Sequence, residues 1–187
     1  SDYYTINKKK KWITNSHSRK RAHLLRSMYD CILTTSKTIN QDNSLLNCRI
    51  NGLEHKNPDI IIIDRNLKVN LKRAIIQKKL KRRIIIVTTS NNKKKINKLK
   101  ENKIKVKQFR VLNNKKDIQK LFNYFNSYYS RILIESGLTF INSFFKMKLI
   151  HSLFVFKSKK KLKKNGTNNT SILNLKKINL NKYRIPV

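Results

Sequence analysis

Glycine is scarce: the chain of 187 residues holds three, Gly52, Gly137 and Gly166. That excludes the G-x-G-x-x-G dinucleotide fingerprint and the P-loop, which use clustered glycines to bring backbone close to phosphate. Also absent are H-E-x-x-H, G-x-S-x-G and the H-x-E with P-C-x-x-C signature of zinc deaminases. The two cysteines, Cys31 and Cys48, form no C-x-x-C pair, and His17, His23, His55 and His151 are scattered. No metal site is therefore expected, and the thiols should be free and reduced. No apolar run approaches the roughly 20 residues of a membrane span, and SDYYTINKKKK has no apolar signal core. The expectation is a soluble, cytoplasmic chain with no membrane partner.

Acid is nearly as scarce. Nine Asp and Glu face 45 Lys and Arg, a formal net charge of +36, which makes nucleic acid the default partner to consider. The Lys, Asn and Ile enrichment runs uniformly through the whole chain, as an AT-rich genome would impose on tolerant surface positions. The runs Lys8 to Lys11, Lys93 to Lys95 and Lys159 to Lys161 are accordingly read as solvated surface. Nucleic-acid binding is possible through net charge but not favoured. Hydrophobic residues make up 39%, enough for a real core, so one folded domain is expected.

What is present alternates. Residues 16–28 carry Ala22, Leu25 and Met28 at helical spacing, and DCILTT (30–35) follows as a strand. Residues 36–49 read as a polar loop bearing Thr38, Asp42 and Arg49. Pro58 precedes DIIIID, a continuous apolar run typical of a sheet covered on both faces. Residues 66–83 read as a short helix or irregular crossover. Strands are then expected at 83–90, 104–111, 131–135 and 149–156 (LIHSLFVF), with helices at 91–103, 114–129 and 137–148. Asn114 should cap the helix at 114–129, with Asp117 in its first turn. The tail from Lys157 to Val187 is a basic segment of the same domain, with a possible strand near Ile172 to Ile185.

Strands alternating with helices imply a three-layer α/β domain, a mainly parallel central sheet with helices on both faces. In such sheets ligands sit beyond the carboxyl ends of the strands. Two places fit: the 36–49 loop after DCILTT, and Glu135-Ser136-Gly137, where a strand turns directly into a helix. Helix-start N–H groups beside Gly137 suit an anion, and Glu135 could meet a ligand hydroxyl or amine. Gly137 alone is equally compatible with a tight turn, and Glu135 with a helix-start acid.

Taken together, WIT at 12–14, LLRS at 24–27, the Thr38-to-Asp42 loop, PDIIIIDRNL and RILIESGLTFINSFF resemble the reductase domain of the bacterial riboflavin-biosynthesis deaminase–reductases. The segments span most of the chain in that family's order. The resemblance implies a dihydrofolate-reductase-like fold and NADPH-dependent reduction of 5-amino-6-(5-phosphoribosylamino)uracil, a phosphorylated pyrimidine, by a homodimer. Cofactor contacts would fall on Trp12, Thr38, Asp42 and the turn Gly137, Leu138, Thr139, Phe140, Ile141, Asn142 and Ser143. Substrate contacts would fall on Lys10, Arg26, Leu46, Arg49 and Glu135, and Asp42 or Glu135 would steer the proton accompanying ring opening.

Without the family, Trp12 reads as a core aromatic, Arg26 as a helix-end cation and Asp42 as a turn cap. The chain departs from the family at Lys10, where a Ser is usual, and at Leu138, where a Pro is usual. Ser1-Asp2 resembles the end of a segment that follows the family's first strand. That strand, one cofactor contact and the deaminase domain would then lie outside residues 1–187. The competing readings are a basic RNA-associated or ribosomal protein and an NADPH reductase of another small substrate.

Overall fold

The computed structural model describes residues 2–9, 12–78 and 81–173. In chain order these form β1 (Tyr4–Asn7), α1 (Ser16–Met28), β2 (Cys31–Thr35), α2 (Ser36–Asp42), β3 (Asp59–Ile63), α3 (Ala74–Gln77), β4 (Ile84–Thr88), α4 (Lys93–Glu101), β5 (Lys105–Gln108), α5 (Lys115–Asn126), β6 (Ile132–Ile134), α6 (Leu138–Lys146) and β7 (Gly166–Asn169), with short 3-10 turns at Lys163–Asn165 and Thr170–Leu173. They fall into two compact units, His23–Ser136 and the combination of Ser1–Ala22 with Gly137–Val187.

The larger unit is the expected α/β sheet. Five strands pair in the order β5-β4-β3-β2-β6, every pair parallel. The apolar runs explain why β2, β3 and β4 are central: Ile32, Leu33, Ile60, Ile61, Ile62, Ile86 and Val87 are essentially inaccessible. Ile32, Ile60, Ile62 and Ile86 share one face and pack with Ile39 of α2, Ile75 and Ile76 of α3, and Ile96 and Leu99 of α4. Residues Leu33, Ile61, Ile85 and Lys105 stand in register on the opposite face, the side of α5. Each fully buried Ile contributes about 1.5–3 kcal/mol relative to exposure.

Local signals set the helix ends. Asn114 accepts from the Asp117 N–H at 3.0 Å and Asp117 accepts from the Asn114 N–H at 3.2 Å, a reciprocal capping box that starts α5 where the sequence places it. Helix α4 ends with Lys103 at φ 60, the Ile104 N–H returning to the Leu99 carbonyl and the Lys103 N–H to Lys100. The buried Leu99 and Ile104 side chains accompany that turn and aim the chain into β5.

Three expectations are corrected. Residues 36–42 are a helix, not a loop. Thr35 caps α2 by accepting the Thr38 N–H, and Asn43 ends it in the left-handed conformation at φ 47. The helix buries a single large apolar side chain, Ile39, which leaves no periodicity to read. The LIHSLFVF stretch is not a strand; Phe154, Val155 and Phe156 are exposed. An apolar pattern gives strand propensity, but a ladder also needs a neighbouring strand, and none pairs with it among the described residues. Of the tail strand near Ile172 to Ile185, Ile172 and Leu173 lie in the 3-10 turn and the rest lies outside the described residues.

In the smaller unit, β1 and β7 form an antiparallel ribbon pairing Tyr4 with Asn169 and Asn7 with Gly166. A Cβ at Gly166 would collide with the Tyr4 ring, so this glycine is required for close approach. The ribbon was invisible in the sequence, because GTNN has neither alternation nor β-branched enrichment.

Candidate functional site

Chain order creates a switch point. From β2 the chain steps outward through β3, β4 and β5, then returns to place β6 on the other side of β2. The crevice beyond the carboxyl ends of β2 and β6 is where an open parallel sheet presents ligand groups. The Glu135 N–H donates to the Leu33 carbonyl at 3.1 Å, carrying the ladder one residue past β6 and fixing Glu135 at that edge.

Arg26, near the end of α1, meets Glu135 there. Its Nε donates to Oε2 at 2.9 Å and its Nη2 to Oε1 at 2.6 Å, a two-pronged, charge-assisted pair. The Arg26 side chain is 12% exposed and that of Glu135 is 35% exposed. The third nitrogen, Nη1, donates to the Asn47 carbonyl at 3.1 Å. His23 Nδ1 lies 2.8 Å from the same carbonyl, so it is the donor there. The 3.3 Å approach of Arg26 Nη1 to that nitrogen then sets two donors side by side. Burial foremost, with the Arg26 and Arg49 charges, holds the His23 pKa below its usual value.

Beside the pair lie three hydroxyls. Thr38 Oγ1 and Ser136 Oγ are 2.9 Å apart, and Thr35 Oγ1 is 3.1 Å from each. Three such groups satisfy one another in a ring, each donating once, and the Thr38 N–H adds a bond to Thr35 Oγ1. The ring ties the start of α2 to the end of β6. Thr38 was expected in the site; Thr35 and Ser136 were missed, because serine and threonine at strand ends carry no distinctive spacing.

Asp42 ends α2 within the field of Glu135. Partial burial and, second, the Glu135 charge raise its carboxyl above the ordinary 3.8. A carboxyl whose folded pKa is raised costs stability as pH climbs from 3.8 through the folded value, because the unfolded chain releases that proton first. Asp42→Asn is therefore expected to abolish a stability loss confined to that window, and Glu135→Gln to lower the Asp42 pKa. Carbon-detected NMR titration of the Asp42 carboxyl reads both; an unchanged Asp42 titration in the Glu135→Gln variant would show that the two carboxyls do not sense each other.

The remaining expected residues are placed as follows. Arg49 is exposed and donates to Asn47 Oδ1 at 3.1 Å. Leu46 is 2% exposed in the core, with φ 49, and its carbonyl accepts from Arg82. Arg82 was not foreseen: it pins the loop after α2 through the Leu45 and Leu46 carbonyls, and burial lowers its pKa to about 10. Lys10 lies outside the described residues. In the smaller unit, Trp12 is 56% exposed with the Arg19 guanidinium 4.9 Å from its ring centre. Gly137 opens α6, which runs through Leu138, Thr139, Phe140, Ile141, Asn142 and Ser143, and no side chain caps it. Among the described residues no His, Cys, Asp and Glu cluster could hold a metal, and no helix is long and apolar enough to cross a membrane.

A parallel α/β sheet with an arginine–carboxylate pair and hydroxyls at its switch point places polar groups where sheets of this class tend to hold small ligands. The chain belongs to the RibD C-terminal domain family, whose model matches residues 3–158. The fold is similar to Acinetobacter baumannii RibD (TM-score 0.63, 18% identity, over 86% of this chain and 46% of that one). It is similar also to the Thermotoga maritima diaminohydroxyphosphoribosylaminopyrimidine deaminase/5-amino-6-(5-phosphoribosylamino)uracil reductase (0.58, 22%, 78% and 38%). A third likeness is the Saccharomyces cerevisiae riboflavin biosynthesis reductase Rib7 (0.56, 22%, 77% and 62%). The chain thus spans less than half the length of the Acinetobacter and Thermotoga proteins. No curated protein matches it by sequence.

Proposed function

We propose that this chain is the reductase for 5-amino-6-(5-phosphoribosylamino)uracil, converting the ribosyl group to ribityl with NADPH. The observation carrying the reading is the Arg26–Glu135 pair at the β2–β6 switch point, flanked by Thr38 and Asp42 as the family resemblance implies. NADPH, when bound, supplies the hydride. Arg26 and Arg49 supply permanent cations for a ribose phosphate. Glu135 holds the Arg26 fork in place, so both of its oxygens are engaged.

The proton then falls to Asp42. Six of the nine acidic residues (Asp2, Asp30, Asp59, Asp64, Asp117 and Glu135) are held by hydrogen bonds. Asp42 has none among the described residues, and desolvation with the nearby Glu135 charge raises its carboxyl above the ordinary value.

Gly137 supports a cofactor that approaches backbone. Its φ of −65 suits any residue, and a Cβ there would meet nothing within 4 Å. Neither strain nor packing requires glycine there, and its backbone is open to an approaching group, with the α6 N–H groups favouring phosphate. Gly137→Ala should therefore leave the urea midpoint within about 0.5 kcal/mol of the parent while weakening NADPH binding about ten-fold. Titration with NADPH, followed by turnover on the pyrimidine substrate, tests the assignment. Absence of NADPH binding by the folded protein would end it.

A further inference from the structure

At the other edge of the sheet, four strand spacings or about 19 Å from β6, lies a groove that the reductase reading does not use. It encloses about 470 Å³ beside β5 and is lined by Lys100, Lys103, Lys105, Lys107, Ile85 and Tyr124, with no acidic residue. Lys105 and Lys107 alternate with inward Val106, so both project onto the α5 face. The Lys107 ammonium stands 4.1 Å from the Tyr124 ring centre. Tyr124 continues into an aromatic ladder, 6.3 Å from Phe109 and 5.8 Å from Tyr128, and Tyr128 is 56% exposed.

We infer that this groove binds single-stranded nucleic acid, the lysines tracking phosphates and Tyr124 with Tyr128 stacking bases. Here cations and exposed rings are interleaved along one track, which is the combination single strands require. Lys105 and Lys107, two residues apart on a strand, are separated by about 6.6 Å, close to one phosphate step of an extended strand. A half-exposed lysine on a tyrosine face is held by a modest attraction, so a phosphate can draw Lys107 aside and free the ring for a base. Edge lysines also deter strand addition. That role accounts for Lys105 and Lys107 but not for Lys100 and Lys103 at the end of α4, nor for the outward tyrosines.

The test is fluorescence anisotropy with a labelled oligouridine of about 12 nucleotides across a series of KCl concentrations. Salt-dependent binding is expected, the groove lysines contributing a slope of about −3 in log K against log salt. Lys105→Gln with Lys107→Gln, and separately Tyr124→Leu, should each lose at least ten-fold. The charge-matched control Lys159→Gln with Lys160→Gln should change affinity less than three-fold. Equal losses in groove and control variants would assign the binding to diffuse charge and overturn the proposal. So would no binding near physiological salt, displacement by AMP at a matched nucleotide concentration (a mononucleotide site), or displacement by NADPH (the switch-point site). All variants are read alongside circular dichroism; the lysine pair is surface-exposed or half-exposed, so it keeps the test decisive if Tyr124→Leu unfolds.

Discussion

Glu135→Gln is expected to lower kcat/KM about 10²-fold in a protein that remains folded. Glutamine preserves shape, yet one of the two Arg26 prongs, Nε at 2.9 Å or Nη2 at 2.6 Å, then faces an NH2 group that cannot accept it. The Arg26 side chain is 12% exposed and keeps one glutamine oxygen and the Asn47 carbonyl, so the guanidinium is no longer held as a two-pronged fork in the position proposed for binding a ribose phosphate. Because a third of Glu135 is exposed, water blunts the cost to folding, to about 1–3 kcal/mol. Arg26→Lys should do similar damage to turnover, since an ammonium cannot make the fork. A double-mutant cycle joins the two: coupling of about 1.5–3 kcal/mol in the activation free energy is expected. Coupling near zero with full turnover in each single variant would show the pair to be a bystander.

How this site could be read from sequence, and how much of it could not, follows from what each residue encodes. Arg26 and Glu135 were legible only through a family resemblance; 109 positions apart, nothing local joins them. The apolar runs of β2, β3 and β4 announced a doubly covered sheet because burial on both faces leaves no room for alternation. The Asn114–Asp117 box was legible because both partners lie within one turn. Helix α2 was not, since its stability comes from the Thr35 and Asn43 caps and one buried Ile39 instead of an apolar stripe. The β1–β7 pairing was hidden for a different reason: its register joins residues about 160 apart, and its polar strands show no periodic signal. LIHSLFVF erred in the opposite sense, displaying a strand pattern where no partner strand is described.

Asp64 carries the lesson furthest, because DIIIID reads as an apolar run that happens to end in an acid, and the structure makes that acid a hub. The residue is 3% exposed. One oxygen accepts from Ser36 Oγ at 2.8 Å and from the Lys68 N–H at 2.7 Å; the other accepts from the Val69 N–H at 2.7 Å. It thereby closes the turn after β3, in which buried Leu67 is held at φ 51, and ties that turn to the first residue of α2. Asp64→Ala strands the buried Val69 N–H, the part-buried Lys68 N–H and the Ser36 hydroxyl, and opens a small void. The expected loss is about 3–5 kcal/mol, each orphaned donor costing about 1–3. Against a typical total of about 5–15 kcal/mol this is the most damaging single change foreseen for folding. Ser36→Ala removes one of the three bonds and should cost about 1 kcal/mol. Urea unfolding separates the cases: the midpoint should fall in that order with the slope unchanged. Because Ser36 starts the helix that bears Thr38 and Asp42, the KM for NADPH should rise in Asp64→Ala at temperatures where the protein is still folded. A midpoint shift worth under 1 kcal/mol would mean that the turn and α2 are held by their apolar contacts alone, and that the switch-point groups owe their placement to Ile39 and Leu67 instead of Asp64.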